Sequence, residues 1–350
     1  MFESNTLVVV GAGASSECSL PTGCELKSRI ASLLDIKFPN GYRLESGDED
    51  IVEAMRLHQH RTTGKQNINS LQAAAWRIRD AMPQAISIDN FIDAHQGDVG
   101  LELCGKLAIA KAILEGESSS LLYVDPRGSE RQPNYKDLAE TWYTSFMQLL
   151  TENCRLESLR DRLSKITFVV FNYDRCVEHF LFLGLQNYYG IDEGAAADLL
   201  RCLKVFHPYG TVGALPWSKG ATNIAFGGSP SSGQLLELAA QLKTFTEGTD
   251  PKSSDIQSLR EALSDATVVL FLGCAYHKMN LQLLKADRPH AESSRVRYFG
   301  TAKGMSKSDV ELVRADLTSL ASVQHDAVIL RNDLACGNFF REYWRSLSLG

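Results

Sequence analysis

An apolar segment that runs directly into a glycine-containing turn is the clearest chemical signal in the chain. The residues are Val8-Val-Val-Gly-Ala-Gly-Ala-Ser-Ser16, in which Gly11 and Gly13 flank Ala12. Glycines at the end of a buried strand let the backbone approach a pyrophosphate, and a following helix would offer unpaired amides and the positive end of its dipole. The segment predicts a phosphate-binding turn. A tight strand-to-helix turn that binds nothing is the alternative explanation.

The pattern of the nicotinamide dehydrogenases is incomplete in two places. Ser16 occupies the position of the third glycine. The residues about 20 positions further on have helical spacing, so no acidic residue ends a second strand there. A nicotinamide-dependent dehydrogenase is therefore not expected.

Two further groups of polar residues follow apolar segments. Phe171-Asn172-Tyr173-Asp174 places an amide and a carboxylate after one of them, and Val205-Phe-His-Pro-Tyr-Gly210 places His207 after the next. A histidine at a strand end can exchange protons near neutral pH. The structural alternatives are that Asn172 turns the chain, that Asp174 caps a helix over 175–183, and that His207 is a structural histidine.

Two later apolar segments also end in small residues. They are Leu270-Phe-Leu-Gly-Cys-Ala-Tyr-His277 and Tyr298-Phe-Gly-Thr-Ala302. Ligands bind at the carboxyl ends of the strands in open α/β sheets. We therefore expect the five strand ends to converge on one crevice.

The elements that would position these residues are six short segments rich in β-branched and apolar residues. A strand buried on both faces has a continuous apolar sequence, and parallel strands are usually connected through helices. The pattern predicts an α/β fold with a Rossmann-like, doubly wound, mostly parallel six-stranded sheet. The predicted strands are Leu7–Val10, Ile166–Phe171, Leu203–His207, Thr267–Leu272, Val296–Gly300 and Ala327–Leu330.

About 150 residues separate the first two predicted strands, which is far more than an ordinary crossover needs. We expect a single domain over 1–350, with a helical insertion at 24–160 and the rest of the core at 165–335. Thr22 and Glu25 have capping-box spacing, Asp98 precedes a further helical pattern, and Ser87 or Asp89 would cap a helix between them. Asp89 could instead act at the pocket or at an oligomer contact.

Composition excludes several classes of protein. The chain has 350 residues, 44% hydrophobic and 22% charged, with a net charge of −6. It has no strongly basic cluster, no apolar run that would span a membrane and no secretory signal at its N-terminus, so we expect a cytoplasmic protein without membrane or direct nucleic-acid binding. The eight cysteines are scattered without a Cys-x-x-Cys pair, and we predict no metal.

These motifs, in this order, resemble the sirtuin-like family, and within it the bacterial antiphage branch that hydrolyses NAD+. The resemblance covers approximately residues 1–30 and 165–330. It implies that Asn172, His207 and Asp174 are catalytic. It also implies that the dinucleotide contacts Gly11, Ala12, Gly13, Ser15, Pro21, Thr22, Gly210, Gly273, Cys274 and Thr301.

The activity that the resemblance implies is cleavage of NAD+ to nicotinamide and ADP-ribose, which would deplete cellular NAD+ during infection. In this interpretation NAD+ is the substrate, Asn172 positions water or the ribose hydroxyls, His207 accepts a proton and Asp174 stabilises positive charge. Related antiphage proteins form homo-oligomers, and some act with a HerA-type hexameric ATPase. We therefore expect control by oligomerisation or by such a partner.

Two other functions are compatible with the same motifs. A regulatory module would bind NAD+ or ADP-ribose through the glycine turn without consuming it. An NAD-dependent protein deacylase would need an acyl-lysine channel, and the four-cysteine zinc module of deacylating sirtuins is missing here. We place both behind NAD+ hydrolysis.

Overall fold

The six apolar segments form one parallel sheet, as the sequence predicts. The computed structural model describes residues 2–41, 43–244, 247, 254–285, 296–321 and 323–348. Their strands are β1 (Thr6–Val10), β2 (Ile166–Val170), β3 (Lys204–Phe206), β4 (Val268–Leu272), β5 (Arg297–Thr301) and β6 (Val328–Arg331). Every pairing is parallel, so the predicted α/β class is confirmed.

The strand order is β3-β2-β1-β4-β5-β6. The chain leaves β1 toward β2 on one side and returns to β4 on the other, so the direction of winding reverses at β1. Val10 pairs with Val170 of β2 and with Leu272 of β4. The three strands therefore end at the same level, and the crevice at this switch point is where a ligand is expected.

Helices cover both faces of the sheet. In chain order they are α1 (Ala12–Ser15), α2 (Gly23–Leu33), α3 (Glu49–Thr63), α4 (Asn69–Ala81), α5 (Ile88–Ala94), α6 (Val99–Ser118), α7 (Trp142–Thr151), α8 (Leu156–Ser164), α9 (Cys176–Tyr189), α10 (Glu193–Leu200), α11 (Ser232–Gln241), α12 (Ser254–Asp265), α13 (Lys278–Leu283), α14 (Lys307–Ala321), α15 (Cys336–Glu342) and α16 (Trp344–Ser348).

Local sequence explains where the inserted helices begin. At α2, Thr22 and Glu25 form the predicted capping box, in which the Thr22 amide donates to the Glu25 carboxylate at 2.7 Å. The Asp98 carboxylate accepts from the Leu101 amide at the start of α6. Of the two candidates at α5, Ser87 is the cap, since its hydroxyl accepts from the Asn90 amide.

The apolar side chains form three cores. One packs α7 to α10 and α15 against one face of the sheet, and a second packs α12 to α14 against the other. The third holds α2 to α6 together with α11, and it includes Tyr173 and Tyr209 from the strand ends. The inserted helices α2 to α6 thus form a layer beside the crevice, whereas α7 and α8 pack on the sheet itself.

In the described part of the chain, none of the helices combines the length and the apolar character that crossing a lipid bilayer would require.

Candidate functional site

A cavity of about 890 Å³ lies at the carboxyl ends of the strands, beside the switch point at β1. Its volume is in the range of small-molecule and cofactor sites. The sheet contributes the ends of β1, β2, β4 and β5, and the helical layer contributes α5 and the start of α2. The cavity therefore lies between the sheet and the inserted helices.

The turns after β1 and β4 cross each other at very short range. Gly273 has a φ of +59°, and a Cβ atom on it would lie 1.9 Å from the Ala14 amide nitrogen. A Cβ on Gly11 would lie 2.6 Å from the Gly273 carbonyl oxygen. Glycine is required at both positions because the two backbones touch.

The same crossing uses amides that the sequence predicted for phosphate binding. The Gly13 amide donates to the Gly273 carbonyl at 3.0 Å, and the Ala14 amide donates to Gly11 at 2.9 Å. The helix α1 that follows has only four residues. The turn therefore supplies fewer free amides to a ligand than a long helix after a glycine turn would.

Asn172 lies on the cavity wall immediately after β2. Its Nδ2 donates to the Ser15 hydroxyl at 3.0 Å, and that hydroxyl also hydrogen-bonds Asp174. No described residue donates to Asn172 Oδ1. Ser15, which does not line the cavity, thus fixes the amide so that Oδ1 is left to accept from a ligand or a water.

Asp174 lines the cavity and also binds the first amide of α9, although the N-cap residue of that helix is Arg175 and not Asp174. Its carboxylate accepts from the Cys176 amide at 3.1 Å, at the start of α9. The side chain is buried, and this burial raises the pKa of the carboxyl group above its usual value of 3.8. Asp174 therefore both supports the start of α9 and forms part of the cavity wall.

His207 does not line the cavity, although it was predicted to be catalytic. It lies behind Asn172, with Nδ1 3.4 Å from the Asn172 carbonyl oxygen and Nε2 2.7 Å from Glu178 Oε1. Both ring nitrogens face acceptors, which is the arrangement of an imidazolium that donates twice. Burial opposes that charge, but Glu178 outweighs it and raises the pKa of His207 above 6.5.

Glu178 is a residue that the sequence analysis missed. It lies in the first turn of α9, and it meets His207 only because β3 pairs with β2. Burial would raise its pKa, but the charge of His207 lowers it. The sequence signal for Glu178 was an acidic residue six positions after Asn172. No local pattern linked that residue to His207, which is 29 residues further along the chain.

Gly210 also lies outside the cavity, and its contact with a dinucleotide stays a prediction. It has a φ of +75°, and a Cβ on it would lie 2.3 Å from the Gln241 carbonyl oxygen. Its role here is to let the loop after β3 pass the end of α11. Ser15, also predicted to contact the dinucleotide, lies behind the wall as well. The other predicted binding residues line the cavity, namely Gly11, Ala12, Gly13, Pro21, Thr22, Gly273, Cys274 and Thr301.

Asp89 brings the helical layer to the cavity. It lines the wall, and its carboxylate accepts a hydrogen bond from the Tyr173 hydroxyl. Burial raises the pKa of Asp89 above 3.8. Since Ser87 caps α5, Asp89 has no capping role there.

The opposite end of the cavity, near β5 and β6, contains charges that the sequence analysis did not identify. Glu17 and Lys303 both line this end. The Glu17 carboxylate accepts from the Gly337 amide at 3.0 Å and the Trp142 amide at 2.8 Å. Burial raises its pKa, while those amides and Lys303 act in the other direction.

Two thiols also lie at this end, and burial makes both poor nucleophiles. Cys336 has a pKa raised to about 12, and Cys274 is raised as well. Within the described ranges, no group of three or more histidine, cysteine or acidic residues is arranged to hold a metal ion. Neither a protein-family model nor a curated protein matches this chain.

Proposed function

We propose that the protein is an NAD+ glycohydrolase that releases nicotinamide and ADP-ribose. The observation that carries the proposal is the cavity at the switch point, where Asn172 Oδ1 and the Asp174 carboxyl group lie on one wall beside the crossing of the two glycine turns. An elongated dinucleotide would place its pyrophosphate at the turns. Its nicotinamide ribose would then lie against Asn172.

The chemistry asks little of the protein beyond orientation and electrostatics. The bond from ribose C1 to the nicotinamide nitrogen breaks with its electron pair leaving on nicotinamide, and water adds to C1 through an oxocarbenium-like transition state. Asn172 Oδ1 would orient that water or a ribose hydroxyl. Asp174, at the same wall, would stabilise the positive charge that develops on the ribose when its carboxyl group is ionised.

His207 would act from behind this wall. As an imidazolium it cannot accept a proton. It can act as a base only after the ring has lost its own proton, and only if hydroxyl groups or waters connect the cavity with the ring. Its hydrogen bond to the Asn172 carbonyl also fixes the backbone of the residue that faces the substrate. We therefore expect activity to rise with pH.

The test is chromatography of NAD+ after incubation with the purified protein and with Asn172→Ala. We expect the wild type to release nicotinamide and ADP-ribose. The rate of the variant should be at least about 100-fold lower. Asn187→Ala is the matched control, since Asn187 is an exposed asparagine on α9 outside the cavity. Equal rates for Asn172→Ala and the wild type would refute the assigned site.

A second candidate is a regulatory module that binds NAD+ or ADP-ribose without turnover. The position of His207 favours it, because neither ring nitrogen is free and the ring is outside the cavity wall. Calorimetric binding of NAD+ without any release of nicotinamide, at every pH tested, would support this candidate over the hydrolase.

The biological setting that we propose rests on the sequence resemblance. An NAD+ hydrolase without control would harm its own cell, so we propose antiphage defence, homo-oligomerisation and activation by a HerA-type hexameric ATPase. Co-purification with such an ATPase and a changed NAD+ cleavage rate on mixing would support the pairing. Full activity of an isolated monomer would count against it.

A further inference from the structure

The end of the cavity near β5 and β6 carries a lysine that forms no ion pair with a described residue. Lys303 lies two residues after β5, lines the cavity and is exposed. It forms no ion pair and no hydrogen bond with another described residue. Glu17 acts on it only through longer-range electrostatics. An exposed ammonium group without an ion pair on a ligand-sized cavity can bind an anion.

The other charged groups near this end have hydrogen-bond or ion-pair partners. Glu17 accepts from two backbone amides, one of them at the start of α15, which disperse its charge. Arg331 and Asp333 pair with each other through the Arg331 Nε and Nη2 atoms at 2.9 and 2.8 Å. Lys278 and Lys303 both line the cavity, and Lys303 is the one that follows β5.

The proposed orientation of the dinucleotide determines which part of it reaches Lys303. Asn172 and Asp174 follow β2, on one side of the switch point, whereas Thr301 and Lys303 follow β5, on the other side. If the nicotinamide ribose lies against Asn172 and the pyrophosphate at the turns, the adenosine ribose extends toward β5. In Rossmann dinucleotide sites an arginine near the adenosine ribose accommodates a 2′-phosphate, and a lysine can bind a phosphate group as a point charge.

We propose that the cavity accepts the 2′-phosphorylated dinucleotide NADP+ as well as NAD+, with the Lys303 ammonium group binding the 2′-phosphate. This inference rests on the proposed function, because it uses the same orientation of the substrate. The reaction is unchanged: water adds to ribose C1, nicotinamide leaves with the bonding electrons, and the products are nicotinamide, 2′-phospho-ADP-ribose and a proton.

The test uses two unreactive probes, ADP-ribose and 2′-phospho-ADP-ribose, titrated by calorimetry into the full-length protein. The readout is the ratio of the two dissociation constants. We expect the wild type to bind the phosphorylated probe at least as tightly as ADP-ribose. In Lys303→Ala the dissociation constant of the phosphorylated probe should rise about tenfold relative to that of ADP-ribose, as expected for loss of a charge-assisted contact.

Lys307→Ala is the matched control, because Lys307 is an exposed lysine at the start of α14 that does not line the cavity. Its ratio should equal that of the wild type. High salt should reduce the preference of the wild type for the phosphorylated probe, since this part of the cavity is open to solvent.

The remaining outcomes separate the two proposals. If the wild type binds ADP-ribose but discriminates against the 2′-phosphate by tenfold or more, the role of Lys303 is overturned and the NAD+ site stands. An unchanged ratio in Lys303→Ala also overturns it. Binding of neither probe would overturn the dinucleotide site itself, and the inference with it.

Discussion

At the scale of single residues, the site depends on contacts that hold one amide in place. Ser15 accepts a hydrogen bond from Asn172 and also hydrogen-bonds Asp174, while the Asn172 backbone carbonyl accepts from His207. Glu178 completes the set behind the wall. The residue that faces the cavity is thus oriented by three that do not.

Glu178→Gln should shift the pH dependence of NAD+ cleavage. The Glu178 carboxylate raises the pKa of His207, so the wild type should gain activity as the imidazolium loses its proton above pH 6.5. Without the carboxylate the histidine loses its proton at lower pH, and the midpoint of the rate profile should move downward. Initial rates measured across the pH range test this, with the exposed Glu193→Gln as control.

The same pair should affect stability with a definite sign. A raised pKa of His207 stabilises the folded state below pH 6.5, and that contribution is lost as pH rises through the folded-state pKa. The lowered pKa of Glu178 adds stability above pH 4.5 that is lost on acidification. The free energy of unfolding, measured with urea, should therefore decline as pH rises in the wild type. In Glu178→Gln this decline should be smaller. An identical slope would contradict the pairing.

At the scale of the elements, short-range backbone contacts decide where the turns can go. The crossing of the β1 and β4 turns requires Gly11 and Gly273, and it uses the Gly13 amide. The glycines that look like a phosphate-binding motif are thus needed for packing in their own right. The start of α2 combines two roles similarly, since Thr22 lines the cavity and caps the helix.

Thr22→Ala should lower the free energy of unfolding by about 1 kcal/mol, because it removes the side-chain half of the capping box. Thr22→Ser retains the hydroxyl and should recover most of that loss. Urea denaturation of the three proteins measures both effects. If serine and alanine destabilise equally, the hydroxyl is not the stabilising group.

At the scale of the whole molecule, a buried ion pair joins the helical layer to the sheet. Glu117, near the end of α6, accepts from Arg175 Nε at 3.0 Å, and Arg175 also donates to the Ile224 carbonyl at 2.7 Å. The side chains of Glu117 and Arg175 are 0% and 2% exposed. The pair therefore connects α6, the start of α9 and the loop before α11 immediately behind the Asn172 wall.

Arg175→Met should destabilise the protein by about 3 to 5 kcal/mol, since it leaves Glu117 buried without its partner. The double variant with Glu117→Gln should recover part of the loss. Arg201→Met is the control, because its ion pair with Asp198 is more than half exposed and is worth at most about 1 kcal/mol. Thermal and urea unfolding measure these differences, and equal effects of the two arginine variants would contradict the role of burial.

The sequence by itself determined the sheet and its helix starts. Continuous apolar segments identify strands buried on both faces, and capping residues such as Thr22 and Asp98 mark helix ends through contacts three residues away. Strand ends in a parallel sheet share one edge, so Asn172, Asp174 and Gly273 could be predicted to line one crevice. All of this information is local or periodic in the sequence.

The tertiary structure alone decided which polar groups face that crevice. Strand pairing brings Glu178 to His207 and turns both away from the cavity, while the fold brings Lys303 to its far end. Gly210 lets the loop after β3 approach the backbone at the end of α11. These outcomes depend on contacts between residues that are distant in the chain. Packing and burial select the partner of each charge there, and no local sequence pattern encodes them.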